Sequence, residues 1–132
     1  MLFWKTDNNT SPEDATKVSS RIKVGYWDRM YYKHDHTIKS QELEAIIVER
    51  ILAMCVKGAS FNELKDAIQR IASFSRFILK KYLFHLIEYG IISYQGQSQV
   101  YVITWEGLNL LSIINIEKRI RHSDKDIVIC LE

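Results

Sequence analysis

The spacing of apolar residues changes twice along the chain, and these changes limit what it can fold into. Between residues 40 and 90, apolar residues recur every three or four positions, as they do on one face of a helix. Residues 91–104 instead alternate in the runs IISYQ and QVYVIT, around a polar turn at Gly96, which is typical of a β-hairpin. Helical spacing then returns in residues 106–123, and Thr104 is a candidate cap for this last helix.

Capping residues divide the first helical region. A serine at Ser40, followed by acidic residues, predicts that the first helix begins there, and Gly58 is suited to its end. Ser60 and Glu63 form the S-x-x-E capping box that starts a second, short helix. The expected buried positions of the first helix are Leu43, Ile47, Ile51 and Met54.

The third helix, SFSRFILKKYLFHLIEYG at residues 73–90, has two unlike faces. Ser73 or Ser75 caps its start and Gly90 ends it. At about 100° per residue, one face forms a core stripe and the opposite face mixes cations with aromatic rings. The core stripe contains Leu79, Tyr82, Leu83 and Leu86, and the mixed face contains Arg76, Phe77, Lys80, Lys81 and Phe84.

The two ends of the chain are less regular. Residues 1–39 are expected to form an arm that is partly flexible, because residues 5–20 are polar and contain the only proline. Residues 21–36 are rich in aromatic and charged side chains, and either a strand or an irregular arm is compatible with them. The final DIVICLE predicts a short strand or an extended apolar tail. We therefore divide the chain into an arm (1–39), a core (40–105) and a C-terminal helix with its tail (106–132).

Two short helices, a longer third helix and a hairpin are the order of a winged helix-turn-helix, a mixed α+β fold that is mainly α. The segments KKYLFHLIEYGII and VYVITWEGLNLL resemble archaeal winged-helix transcriptional regulators related to the MarR and PadR types. Their pattern is K-x-Y-L-x-x-L-x-x-x-G-L-I, a turn, and Y-x-I-T-x-K-G-x-x-x-L. The matching positions are Tyr82, Leu83, Leu86, Gly90, Ile91, Ile92, Tyr101, Ile103, Thr104, Gly107 and Leu111.

This resemblance implies a protein that binds double-stranded DNA in a sequence-specific way. Residues 75–89 are then the recognition helix in the major groove, and residues 91–104 are the wing beside the backbone. Cations on the helix would neutralise phosphates, a polar side chain near its start would reach base edges, and Phe77 would contact a thymine methyl group. The predicted DNA-binding residues are Ser75, Arg76, Phe77, Lys80 and Lys81, and the predicted wing residues are Gln95, Gln97, Ser98 and Gln99.

The last helix has apolar residues on more than one face. Regulators of the family that the chain resembles often dimerise through such a helix, so we expect a homodimer. Burial against the N-terminal arm and the DIVICL tail of the same subunit is the other interpretation. The expected dimerisation residues are Leu110, Ile113, Ile114, Ile116 and Ile120.

The remaining features favour no enzyme. The chain has no glycine-rich phosphate loop and no nucleophile motif, and KHDH at residues 33–36 lacks the further ligands of a zinc site. We expect no cofactor, no metal and no small-molecule ligand. Cys55 lies within an apolar helical pattern and is expected to be a buried hydrophobic residue. The absence of a signal-peptide pattern or a run of about 18 apolar residues favours a cytoplasmic protein without membrane contact.

The charge balance leaves an alternative to DNA binding. Eighteen basic and sixteen acidic residues give a net charge of only +2, so a positive surface requires local clustering. The wing tip QGQSQ has no cation, and Glu106 stands where the family has lysine. The alternative is a winged-helix module that binds a protein partner and no DNA. In that case the helix cations would be scattered, or paired with acids such as Asp66 and Glu88.

Overall fold

The computed structural model describes residues 21–26, 41–121 and 127–132. Within these residues the chain is an α+β fold with four helices and small antiparallel sheets, which confirms the predicted mixed class. In chain order the elements are β1 (Ile22–Tyr26), β2 (Gln41–Glu44), α1 (Ala45–Cys55), α2 (Phe61–Gln69), α3 (Arg76–Glu88), β3 (Ile92–Gln95), β4 (Val100–Ile103), α4 (Trp105–Arg121) and β5 (Ile127–Leu131).

The start of the first helix differs from the prediction. Residues 41–44 form the strand β2, and α1 begins only at Ala45, with Glu44 in the cap position but without a side-chain cap hydrogen bond. Leu43 therefore enters the core from a strand, where it lies opposite Ile129. The helical prediction was wrong here because an acidic, alternating stretch fits both a helix start and a short strand, and pairing with β5 decides between them. Ser40 lies outside the described residues.

The C-terminal strand β5 is the centre of a three-stranded sheet. It pairs antiparallel with β1 on one side and with β2 on the other. Successive side chains of a strand point to opposite faces, and all five β5 residues are buried, so both faces of the strand are covered. The sheet therefore joins residues 22–26 and the chain end to the start of α1. Of the two alternatives for the arm, a strand is present at Ile22–Tyr26, and the tail is also a strand.

The other predicted element boundaries agree closely with the structure. Ser60 and Glu63 form both hydrogen bonds of the capping box, at 3.2 and 2.9 Å. Ser75, not Ser73, caps α3. The hairpin consists of β3 and β4 with a turn at residues 96–99, and Gln99 in this turn has φ 58°. The backbone of Tyr101 also exchanges two hydrogen bonds with Ala59, which attaches the hairpin to the start of α2.

The hydrophobic core lies between the helices and one face of the β5 sheet. Side chains of α1 fill its centre, where Ile51 and Leu52 are fully buried. Cys55 is buried beside them, and burial raises the pKa of its thiol to about 12, so it is a protonated, apolar residue as predicted. Outside the core, Lys118 of α4 donates to both carboxylate oxygens of Glu49 of α1, at 2.9 and 2.8 Å.

Two of the predicted dimerisation residues belong to this core. Leu110 and Ile114 are fully buried among the chain's own side chains, so the expectation that they contact a second subunit is corrected. They lie on the side of α4 that packs against α1. The helix needs this face for its own subunit, because a helix of a small domain is held mainly by burial of one apolar face.

A compact junction connects α3, the hairpin and α4. The Thr104 hydroxyl oxygen accepts a hydrogen bond from the Gly107 amide at 3.0 Å, which confirms Thr104 as the cap of α4. The single hydroxyl hydrogen lies within reach of the carbonyls of Gly90 and Ile91, at 2.6 and 2.7 Å. The Thr104 amide donates to the Ile91 carbonyl at 3.1 Å. The end of α3 and the start of α4 are thus fixed to one another by short hydrogen bonds.

No helix in the described ranges is long and apolar enough to cross a membrane.

Gly107 is required by the close approach of this junction, and its replacement tests the packing. A β-carbon at Gly107 would collide with the Ile91 carbonyl oxygen and come within 2.6 Å of the Ile103 side chain. We expect Gly107→Ala to lower the free energy of unfolding by about 1–3 kcal/mol, as overpacking usually does. Gly96→Ala is the matched control, because a β-carbon at Gly96 meets nothing within 4 Å. Urea unfolding of both variants measures the difference, and equal stability would contradict the described packing.

Candidate nucleic-acid interface

Helix α3 has the two faces that its sequence predicts. Its core stripe is buried, and Tyr82 within this stripe also accepts a hydrogen bond from the Glu44 amide at 3.0 Å. The ring of Tyr82 packs edge-on against Phe74, at 5.2 Å between ring centroids. On the opposite face, all five cationic and aromatic residues are exposed: Arg76, Phe77, Lys80, Lys81 and Phe84. Packing of the buried stripe therefore holds this mixed face outward.

Two of the cations are positioned by an aromatic ring from the preceding helix. The guanidinium carbon of Arg76 lies 5.3 Å from the centroid of the Phe61 ring, and the Lys80 ammonium lies 5.8 Å from it. Cation–π contacts of this length are worth about 0.5–1 kcal/mol at exposed sites. The start of α2 therefore helps to hold Arg76 and Lys80 side by side. Lys81 projects from the other flank of the exposed face, about 100° away from Lys80.

The three cations have no carboxylate partner in the part of the chain that the structure describes. The ion pairs among the described residues join Lys23 to Glu132 and Lys118 to Glu49. The Glu88 carboxylate of α3 lies 3.7 Å from the ring nitrogen Nδ1 of His85. Asp66 forms no ion pair with α3 either. No described carboxylate therefore neutralises Arg76, Lys80 or Lys81, and these cations form a small positive surface on a chain of low net charge.

Ser75 has a structural role at this site. Its hydroxyl oxygen accepts a hydrogen bond from the Ile78 amide at 3.1 Å and caps the first turn of α3. This bond satisfies one of the free amides at the start of the helix. The side chain is exposed, but a contact between Ser75 and a base edge stays a prediction.

Aromatic side chains are the most prominent feature of the exposed face. Phe77 is 72% exposed and Phe84 is 62% exposed, although both are large apolar groups. They lie seven positions apart, which is close to two helical turns, so they share one stripe along the helix. Large aromatic rings are usually buried within a single chain, so their exposure beside cations makes this face a candidate interaction surface.

The hairpin presents neutral polar groups. Gln95, Gln97, Ser98 and Gln99 are all exposed around the turn, and the backbone amide of Gln99 donates to the Gln95 carbonyl at 2.8 Å. The structure thus groups the predicted wing residues at one tip. Below the tip, the ring centroids of Tyr94 and Tyr101 lie 4.8 Å apart on one face of the hairpin. The hairpin therefore offers amide hydrogen bonds and aromatic surface.

The exposed residues of α4 form a second apolar stripe, which differs from the predicted one. Ile116 and Ile120 are exposed, as a dimerisation surface requires, and Ile113 is half-buried. Trp105, with 66% of its surface exposed, and Leu108 lie on the same side of the helix as this isoleucine pair. Neither residue was predicted, because a sequence pattern with apolar residues on several faces does not show which face the core takes.

The contribution of Phe61 was also missed by the sequence analysis. It follows the Ser60 cap directly and is the first residue of α2. Phe61 lies fifteen and nineteen positions before Arg76 and Lys80, so the spacing of neighbouring residues in the sequence does not predict these contacts.

Among the described residues, no group of three or more histidine, cysteine or acidic side chains is placed to hold a metal ion. The KHDH segment lies outside those residues.

A comparison of the chain with protein-family models, curated proteins and solved structures finds no match.

Removal of the Ser75 hydroxyl tests its role as the cap of α3. We expect Ser75→Ala to lower the free energy of unfolding by about 1 kcal/mol, because the Ile78 amide loses its partner. The matched control is Ser73→Ala, since the exposed Ser73 hydroxyl makes no hydrogen bond with any described residue. Thermal and urea unfolding measure both variants. If Ser75→Ala is as stable as Ser73→Ala, the cap does not contribute to α3.

Proposed function

We propose that this chain is a winged-helix protein that binds double-stranded DNA, with α3 as the recognition helix and the β3–β4 hairpin as the wing. The observation that carries the proposal is the exposed positive surface of Arg76, Lys80 and Lys81 on the first turns of α3. In a helix-turn-helix, the second helix of the pair enters the major groove with its N-terminal residues on the bases, and the preceding helix crosses the backbone.

The arrangement of elements supports the winged-helix assignment. Among the described residues, three helices precede the hairpin, and the Ala59–Tyr101 bridge connects the hairpin to the segment between α1 and α2. Three residues that match the pattern of the resembled regulators lie at turns of this fold. Gly90 ends α3 with φ 74°, a backbone conformation that suits glycine, and Thr104 and Gly107 form the junction with α4. The pattern shared with MarR- and PadR-type regulators therefore maps onto the turns of the fold as well as onto its core.

The electrostatics indicate how such a complex would gain affinity. Cations that replace condensed counterions on phosphates give a binding constant that falls steeply with salt. Arg76 and Lys80, held beside Phe61, would contact one strand, and Lys81 on the other flank would contact the opposite strand. The glutamines of the wing add neutral hydrogen bonds to phosphate or sugar oxygens, which position the protein without reading sequence.

The proposal includes a homodimer and a role in transcription regulation. The exposed α4 stripe of Trp105, Leu108, Ile116 and Ile120 is the surface that a second copy would cover. A twofold-symmetric dimer would present two α3 helices to two half-sites, so the dimer geometry would set the half-site spacing. This stripe replaces Leu110 and Ile114 as the proposed contact, while Ile113 lies at its margin.

A second candidate function is a protein–protein interaction module. The observation that favours it is the exposure of Phe84 together with Ile87, one turn further along α3. These residues lie beyond the first turns that a recognition helix uses for bases, and a protein partner would bury them. The neutral wing also fits this alternative.

Reversal of the α3 charges tests the proposed DNA contact. We expect Lys80→Glu/Lys81→Glu to lower the affinity for labelled mixed-sequence duplex DNA by more than about tenfold at low salt. The slope of log K against log salt should decrease by about two, which corresponds to two lost phosphate contacts. Fluorescence anisotropy at several salt concentrations measures both quantities.

The matched control for this variant is Arg50→Glu/Lys57→Glu. It changes the net charge by the same amount at exposed cations of α1 and of the turn that follows it. We expect this control to keep the native salt slope. If both variants lost the same DNA affinity, the net charge alone would determine binding, and the assignment of α3 as the DNA-binding helix would be wrong.

Charges placed on the α4 stripe test the proposed dimer. We expect Ile116→Glu/Ile120→Glu to raise the dimer dissociation constant by at least about tenfold, because two unpaired carboxylates would be buried at the interface. Both positions are exposed in the single chain, so the fold should tolerate the change. Sedimentation equilibrium measures the dissociation, with Val56→Glu at another exposed apolar position as the control. A native chain that is monomeric at all concentrations would contradict the dimer.

A further inference from the structure

We propose that Phe77 reads the C5-methyl group of thymine, so that base selection by α3 depends on methyl groups in the major groove. This inference rests on the proposed DNA binding and adds a specific chemistry to it. Phe77 is the most exposed of the large apolar residues among the described part of the chain. It lies in the first turn of α3, directly after Arg76, where a recognition helix contacts base edges.

The flanking cations place Phe77 toward the floor of the groove. At about 100° per residue, Lys80 lies about 60° to one side of Phe77 and Lys81 about 40° to the other side. Arg76 is on the same flank as Lys80, where both are held by the ring of Phe61. If the two flanks face the phosphates of the two strands, the centre of the face points between the strands, and Phe77 occupies that centre.

The chemistry of the phenyl ring then selects its contact. A phenylalanine ring has no conventional hydrogen-bond donor or acceptor, while the major-groove edges of guanine, adenine and cytosine present mainly polar groups and no methyl group. Thymine adds the C5-methyl group, and apolar contact with this methyl is a known use of phenylalanine in base recognition. A polar edge placed under the ring would lose water without a replacement hydrogen bond, so thymine is preferred there.

Phe84 shares the stripe but is a poor candidate for the same role. It lies about 10 Å further along the helix axis, at a rise of 1.5 Å per residue. Glu88 follows one turn later on the exposed face, and its negative charge disfavours close approach of a phosphate backbone. Phe84 therefore serves as the matched control, because its loss removes the same ring from the same stripe.

The experiment removes the methyl group and nothing else. The full chain first selects preferred duplexes from a random-sequence DNA pool, and each thymine of the enriched site is then replaced by deoxyuridine. Fluorescence anisotropy gives the affinity of the native chain, Phe77→Ala and Phe84→Ala for the paired duplexes. We expect the native chain to lose about fourfold in affinity for each contacted methyl removed, from the free energy of burying one such group.

The variants separate the possible outcomes. We expect Phe77→Ala to bind the thymine and deoxyuridine duplexes equally, and Phe84→Ala to keep the native ratio. Equal affinity of the native chain for both duplexes would overturn the methyl contact and leave DNA binding in place. A thymine preference that survives in Phe77→Ala would overturn the assignment to Phe77. No binding to any duplex at low salt would overturn the proposed function, and this inference with it.

Discussion

The hydrogen bonds between Thr104 and the end of α3 hold the three candidate interaction surfaces of the molecule in a fixed relation to one another. The carbonyls of Gly90 and Ile91 lie where α3 ends and the hairpin begins, and Thr104 binds there while also capping α4. Gly107 allows the first turn of α4 to approach the Ile91 carbonyl more closely than any side chain would permit. The exposed face of α3, the hairpin tip and the apolar stripe of α4 thus depend on one small contact region.

The second constraint is the division of α3 between core and surface. A helix in a small domain is stable chiefly because one face is buried, and here Leu79 and Leu86 meet that need. The remaining face is then free to hold side chains that the fold itself does not require. Phe77 and Lys81 are exposed and lie outside the core, so the proposed DNA contact would account for their presence at these positions.

The sequence allowed correct prediction of the elements that depend on local chemistry. The capping box at Ser60 and the hairpin around Gly96 each follow from neighbouring residues, and the structure has both. The sequence leaves Ser73 and Ser75 open as the cap of α3, and the structure has Ser75. The strand β2 was predicted as helix because its identity depends on β5, more than eighty residues away. The same non-local pairing decides that β5 is a central strand. The buried side of α4 and the contact of Phe61 with α3 likewise depend on tertiary packing, which periodicity does not encode.

We propose that the N-terminal half of α3 is the surface that contacts double-stranded DNA. Backbone amide hydrogen exchange of the native chain, with and without a saturating duplex, tests this contact across the whole molecule at once. We expect DNA to slow exchange in residues 75–84 and at the hairpin tip around Gln97, and to leave exchange in α4 unchanged. Protection confined to α4, or exchange that is the same with and without DNA, would contradict the proposed contact.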